Sequence, residues 1–236
     1  MIKLRLSDKS RKFVKDVGGI VLGVLIALAI GEVADAARKR VNAGMAFDAV
    51  RTDMLDNYAM FEMTALAGPC IERRLAAVSA ELEHARSTGQ LRDIGDIGFG
   101  DSSTFRTGAW ERAVANGDTL YMSDDRVAGL ADYHDLLRMY RAYMDDALLD
   151  WARLGALSDA PGAIDDNTLS SARLTVAELK FRTSSIAYIA TLLVQVHEQL
   201  GLPAAYTPFN GVPRSRDDLP RLVNESQICK ALEVDA

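Results

Sequence analysis

Residues 17–31, VGGIVLGVLIALAIG, run fifteen positions without a charge close to the N-terminus, ahead of a long stretch of ordinary polar sequence. In hydrocarbon every backbone amide must be paired within its own segment, so such a run is read as a helix that holds the rest of the chain at a membrane. At about 1.5 Å per residue it spans roughly 22 Å, short of a hydrocarbon core of roughly 30 Å. The flanks supply the difference: Phe13 and Val14 upstream, Val33, Ala34, Ala36 and Ala37 downstream, and Lys15, whose stem lets its ammonium reach the headgroups. The membrane helix is therefore placed at residues 17–37, with Glu32 and Asp35 near one interface, where a carboxylate is tolerated far better than at the bilayer centre. A cleaved signal peptide is the competing reading, because Ala27-Leu28-Ala29 and Ala34-Asp35-Ala36 both have the A-x-A form. The helical pattern passes through both without a breaker, which favours an anchor.

Charge sets the expected orientation. Lys3, Arg5, Lys9, Arg11, Lys12 and Lys15 precede the apolar run and Arg38, Lys39 and Arg40 follow it, which puts the basic tail, residues 1–16, in the cytoplasm and the body outside it. Six bases against two acids give that tail a net charge of +4, suited to membrane lipids with anionic headgroups. The remaining 21 bases and 31 acids make an acidic body, which argues against a nucleic-acid partner. Within the helix, Gly19, Gly23, Ala27 and Gly31 recur every fourth residue and drift only about 40° per step around an ideal helix. They form a small-residue face on which another transmembrane protein, or a second copy of the chain, can pack closely. The alternative is that Gly and Ala are simply frequent in membrane helices.

Six prolines, 7% aromatic residues and long tracts rich in Ala, Leu, Arg, Glu and Asp favour helix throughout. The expected fold is all-α: the transmembrane helix continues into an antiparallel helical bundle over residues 38–202, followed by a proline-containing tail, 203–236, with a short helix. The first helix should run to about Leu66 and stop at Gly68-Pro69. A second, from Cys70 to about Arg86 with Ile71, Leu75, Val78 and Leu82 inward, should fold back on it as a hairpin. Residues 87–103 read as a surface loop, and the GDIGFGD at 95–101 lacks the order of a calcium-binding loop. A short helix capped by Ser103 or Thr104 should carry Phe105, Trp110 and Val114 and end at Asn116-Gly117, with Trp110 filling the core. Ser123-Asp124-Asp125 opens a long helix to about Leu157. The last long helix, 167–200, turns Ile186, Ile189, Leu193, Val196 and Leu200 inward, and a short one near residues 222–232 carries Cys229.

Two further features bear on function. Tyr133, Tyr140, Tyr143 and Trp151 lie on one heptad-like stripe of the long helix; such a stripe is ordinarily core, and the sharper reading is an apolar groove whose tyrosine hydroxyls need polar partners. Cys70 and Cys229 are the chain's two cysteines, too few for a disulfide scaffold or a multi-cysteine metal site. Outside the cytoplasm they are expected to form a disulfide closing a loop of about 160 residues, with two separate buried thiols as the alternative.

The basic N-terminus, IVLGVLIALAIGE at 20–32 and FRTGAWERAVANGDTLYMSDDRVAGLADYHDLL at 105–137 together resemble a bacterial family of small single-pass membrane proteins of unknown function. In that family a similar IGILIAL anchor precedes helical hairpins, a tryptophan-centred segment and a glycine-containing link into a long helix. The resemblance covers roughly residues 10–157. It departs after the anchor, where the family commonly has Gln or Asn and a tryptophan and this chain has Gly31-Glu32-Val33-Ala34-Asp35. It implies a bacterial inner-membrane location with the body in the periplasm, and no activity.

No catalytic motif is present. His84, His134 and His197 fall on three different predicted helices without a second ligand one turn away, and His134 and His197 are expected to face solvent or be satisfied locally. No cofactor and no metal are expected. The leading expectation is a non-enzymatic accessory or scaffold component of an inner-membrane complex. A periplasmic ligand-sensing or lipid-binding module is the alternative, weakened because sixteen cytoplasmic residues leave no room for an output domain. An enzyme ranks last.

Overall fold

The apolar run is the start of a single helix, α1 (Asp8–Thr88), 81 residues long, which continues unbroken into the body. The structure, a computed structural model, describes residues 8–98, 105–159, 161–206 and 215–232, with side chains from residue 15 onward. The break expected at Gly68-Pro69 does not occur, and residues 70–86 form no separate hairpin arm. Pro69 removes one ladder hydrogen bond, to the Ala65 carbonyl, and its ring crowds that carbonyl. Both Pro69 and Leu66 lie on the exposed side of α1, where a freed carbonyl can turn to water. The opposite side is fixed by packing, with Gly68 backed onto Ala187 and Leu75, Val78, Leu82 and Ala85 buried at spacings of 3, 4 and 3. Burying each large aliphatic side chain contributes about 1.5–3 kcal/mol, so Leu75, Val78 and Leu82 together outweigh the proline penalty of about 3 kcal/mol.

After α1 the chain descends the whole height of the body. Gln90–Leu91 (β1) pairs antiparallel with Gly162–Ala163 (β2), Gln90 opposite Ala163. The stretch expected as a surface loop buries Leu91, Ile94 and Ile97, one residue in three, against the bundle. Ser103 and Thr104 lie outside the described residues; Thr107 precedes α2 (Gly108–Ala115), which ends at Asn116 with Gly117 in the left-handed region at φ 71°. A 3₁₀ turn, Asp118–Tyr121, then reverses the chain into α3 (Asp124–Ser158), and α4 (Asp166–Gln199) follows β2. Asp165 caps α4 by accepting from the amides of Asn167 and Thr168. In place of a helix over 222–232 there is α5 (Asp218–Glu225), which seats Pro220 in its first turn, where the missing amide hydrogen has no helical partner to lose. Cys229 sits in a 3₁₀ turn, Gln227–Cys229.

The fold is all-α. Because the chain is back at the lower end where α3 begins, α3 rises parallel to α1, and α4 descends antiparallel to both. α4 packs along both neighbours, whereas α1 and α3 face each other across a gap. In the lower half Phe105 fills it, stacked on Phe61 at 5.4 Å and edge-on to Tyr140 at 5.1 Å. Higher up, α5 closes it with Leu219 and Val223 buried. One fully buried charge joins α3 to α4: Asp150 accepts from Arg182, and from Arg153 at 3.1 Å.

Cys70 and Cys229 are joined in a disulfide across a sequence separation of 159. Beside it Arg74, 3% exposed, donates to the Asp96 carbonyl at 3.2 Å and to the Gln227 and Lys230 carbonyls, each at 2.7 Å. The C-terminal segment is thus held to α1 by one covalent bond and one buried guanidinium. Cys229→Ser is expected to lower unfolding stability by about 3–5 kcal/mol while leaving native helical content unchanged. Chemical denaturation followed by far-ultraviolet circular dichroism in detergent checks this; a loss under 1 kcal/mol contradicts it.

Candidate functional site

The lower part of α1 presents an 18-residue window of mean hydropathy 2.3, none of it buried by the rest of the chain. It is long and apolar enough to cross a membrane. Gly19, Gly23 and Gly31 face open space, since a methyl group added at any of them meets nothing within 4 Å, and Ala27 between them is exposed. These four positions thus lie on a face that no other described part of the chain covers.

The four aromatic residues of the α3 stripe separate in space. Tyr133 is buried on the Phe61 side of the core, with its ring 6.3 Å from Phe61, and burial holds its phenol well above the ordinary range. Tyr143 is half-buried, edge-on to Phe181 at 6.2 Å. Tyr140 and Trp151 share a cavity of about 210 Å³ in the upper part of the α1–α3 gap. Its walls include Met60 and Met63 of α1 and Met144 of α3, and α5 with the following turn roofs it through Leu222, Val223 and Ile228. The hydroxyl of Tyr140 lies 2.9 Å from Thr64 Oγ1. Thr64 spends its only proton on the Met60 carbonyl, so Tyr140 is the donor to Thr64. Flexible thioethers around one tyrosine make a wall that can adapt to an apolar guest.

A second constellation, missed by sequence reasoning, ties the segment after α4 to α1. Glu62, 9% exposed, accepts from Tyr58 at 3.1 Å and from Tyr206 at 2.5 Å, with Arg216 at 3.5 Å. Burial, then the carboxylate beside it, pushes the Tyr58 phenol up to about 12, and the same two causes raise Tyr206. His197 packs on Tyr58 with ring centroids 4.5 Å apart, and its Nε2 lies 2.9 Å from the Pro203 carbonyl, so Nε2 carries the proton. The signal in the sequence was Tyr58 and Glu62 four apart on a stripe otherwise apolar.

Neither His134 nor His197 faces solvent, at 5% and 1% exposed; His197 is instead satisfied locally by the Pro203 carbonyl, the other half of the expectation, while His134 is buried against Trp110. Trp110 does not fill the core but lies half-buried at its edge, its ring stacked on His134 at 5.0 Å. In the loop tested for calcium binding, Asp93 and Asp96 accept from the amides of Gly95 and Gly98 at 2.9 and 2.8 Å, so each gives an oxygen to its own turn. Among the described residues no group of three His, Cys, Asp or Glu side chains is placed to hold a metal ion.

Comparison with protein-family models, with curated proteins and with solved structures finds no match to this chain.

His134 makes the body acid-sensitive. Burial, reinforced by the Arg138 guanidinium, lowers its pKa to about 4 from an ordinary value of 6.5. The unfolded chain therefore takes up a proton below about pH 6.5 that the folded chain refuses until about pH 4. Stability is full above that window and falls across it, by up to about 3 kcal/mol. His134→Phe keeps a ring against Trp110 and should flatten this part of the curve in denaturation series between pH 4 and 7.

Proposed function

We propose that the chain is a non-enzymatic accessory or scaffold component of a bacterial inner-membrane complex, anchored by residues 17–37 with its N-terminus cytoplasmic and its body periplasmic. The observation that carries this reading is the continuity of α1: the bare apolar segment and the helix that organises the body are one rod, so whatever packs on the span is fixed relative to the bundle. The Cys70–Cys229 disulfide suits an oxidising compartment outside the cytoplasm. The resemblance of residues 20–32 and 105–137 to single-pass bacterial proteins agrees with this placement and supplies no activity. Gly23→Leu tests it: the substitution keeps the segment apolar and fills the small-residue face, so insertion should persist while a partner, or a second copy, is lost on purification in mild detergent. Leu25→Ile is the control. Unchanged co-purification with Gly23→Leu sinks the docking role of the span.

The cavity between α1 and α3 favours a second reading, a periplasmic module that binds a compact apolar ligand. At about 210 Å³ it is somewhat larger than an engineered apolar pocket of about 150 Å³ known to accept benzene. Ala67→Phe places a ring in that space and should weaken binding of a naphthalene-sized fluorescent probe at least tenfold, read by titration. Equal affinity in both proteins removes this reading.

A further inference from the structure

We propose that the 3₁₀ turn Asp118–Tyr121 seats the body on the bilayer that α1 crosses, with Leu120 and Tyr121 entering the headgroup layer beside Arg38, Lys39 and Arg40. This rests on the membrane-spanning reading of residues 17–37 and extends it from the anchor to the body. Because α1 is one continuous helix, it works as a ruler: a contact with a given α1 residue fixes height above the span at about 1.5 Å per residue.

Read along that ruler, the descending segment approaches the membrane step by step. Arg106 exchanges hydrogen bonds with Asn57 at 2.9 and 3.0 Å, and the Ala109 amide donates to Asp53 at 2.9 Å. Then Tyr121 brings its ring under Lys39, 5.3 Å from Nζ to the centroid. On the way back up, Arg126 of α3 lies over Phe47 at 4.7 Å. Tyr121 is therefore the lowest of these contacts with α1. Lys39 lies two residues past the span, roughly 3 Å, and the headgroup region extends about 5–8 Å beyond the hydrocarbon on each side. At that height the turn is inside the headgroup layer.

Its surface chemistry fits that place. Leu120 is 81% exposed, the highest value among the exposed large hydrophobic side chains, and Tyr121 is 42% exposed. Val41 and Met45 on the adjoining stretch of α1 are 61% and 60% exposed. The turn is built: Gly117 at φ 71° starts it, and the amides of Leu120 and Met122 donate to the Gly117 and Thr119 carbonyls, each at 3.2 Å. An amphipathic tyrosine beside three basic residues suits the membrane–water boundary, where the ring sits among headgroups and the cations meet phosphates. Asp118 in the turn, with Asp124 and Asp125 just after it, holds it at that boundary rather than letting it enter hydrocarbon.

The test uses the full chain in vesicles of mixed zwitterionic and anionic phospholipid. With both native cysteines in the disulfide, a nitroxide goes to one introduced thiol: Leu120→Cys at the turn, Leu25→Cys in the span, or Leu174→Cys, 61% exposed and near Arg173, which pairs with Glu83 far up α1 at 2.8 Å. Relaxation enhancement by oxygen, which concentrates in lipid, is compared with that by an aqueous nickel chelate. The expected order of the oxygen-to-nickel ratio is Leu25 highest, Leu120 intermediate and at least threefold above Leu174. A Leu120 ratio equal to that of Leu174, with Leu25 still high, overturns the seating while leaving the anchor intact. A low ratio at Leu25 overturns both.

Discussion

One continuous helix, α1, its hydrogen-bond ladder interrupted only where Pro69 lacks an amide hydrogen, registers everything else in the molecule. The apolar run, the packing face for α4, the buried Arg74 and the half-cystine Cys70 all sit on that single helix, so their spacing is set by helical rise and not by loops. Its weakest point is Pro69, which survives because its exposed side can tolerate an unpaired carbonyl and its inner side is locked onto α4. A helix is kept whole here by tertiary packing against local propensity, since isolated helical order is cheap to break and costly to nucleate.

The parallel arrangement of α1 and α3 has its own demand. Two helices that share α4 but leave a gap between them must fill that gap with side chains from elsewhere. Phe105 and the buried face of α5 come from segments more than a hundred residues apart in sequence, and each needs something to hold it in place. For Phe105 it is the stack on Phe61 and the Asn57–Arg106 hydrogen bonds. For α5 it is the disulfide, Arg74 and the tyrosine-bound Glu62. Polar groups buried along the inner face of α1 therefore serve the tail as much as the bundle, and the cavity lies where neither filler reaches.

Helical class, the start of α3 at Ser123 (though its hydroxyl makes no capping hydrogen bond), the end of α2 at Asn116-Gly117, and the inward seam of α4 were legible because each depends on residues within a turn of one another. The Gly68-Pro69 break was misread for the same reason: proline is a strong local signal, and the packing that overrides it, Gly68 on Ala187, joins positions far apart in the chain. Burial of Ile94 and Ile97 was hidden because a descending segment with one apolar residue in three matches neither helical nor strand periodicity. The stripe of Tyr133, Tyr140, Tyr143 and Trp151 showed where α3 turns inward but not which members would share a cavity, since that depends on where Phe105 and α5 insert. Nothing in the sequence marks Glu62 or Asp150 for burial; their partners on the tail and on α4, distant in the chain, are what compensate it.

A rod shared between a span and a body is also a lever arm. From the end of the span to Thr88 α1 extends about 77 Å, so a change of about 10° in the tilt of the span sweeps the far end sideways by roughly 13 Å. Span tilt responds to hydrocarbon thickness, because a helix longer than the local bilayer leans to bury its apolar length. With residues 17–37 in the bilayer as proposed, the upper end of the bundle, where Thr88 meets the β1–β2 pair, would convert a few ångströms of bilayer thickness into a lateral displacement comparable to the diameter of a helix.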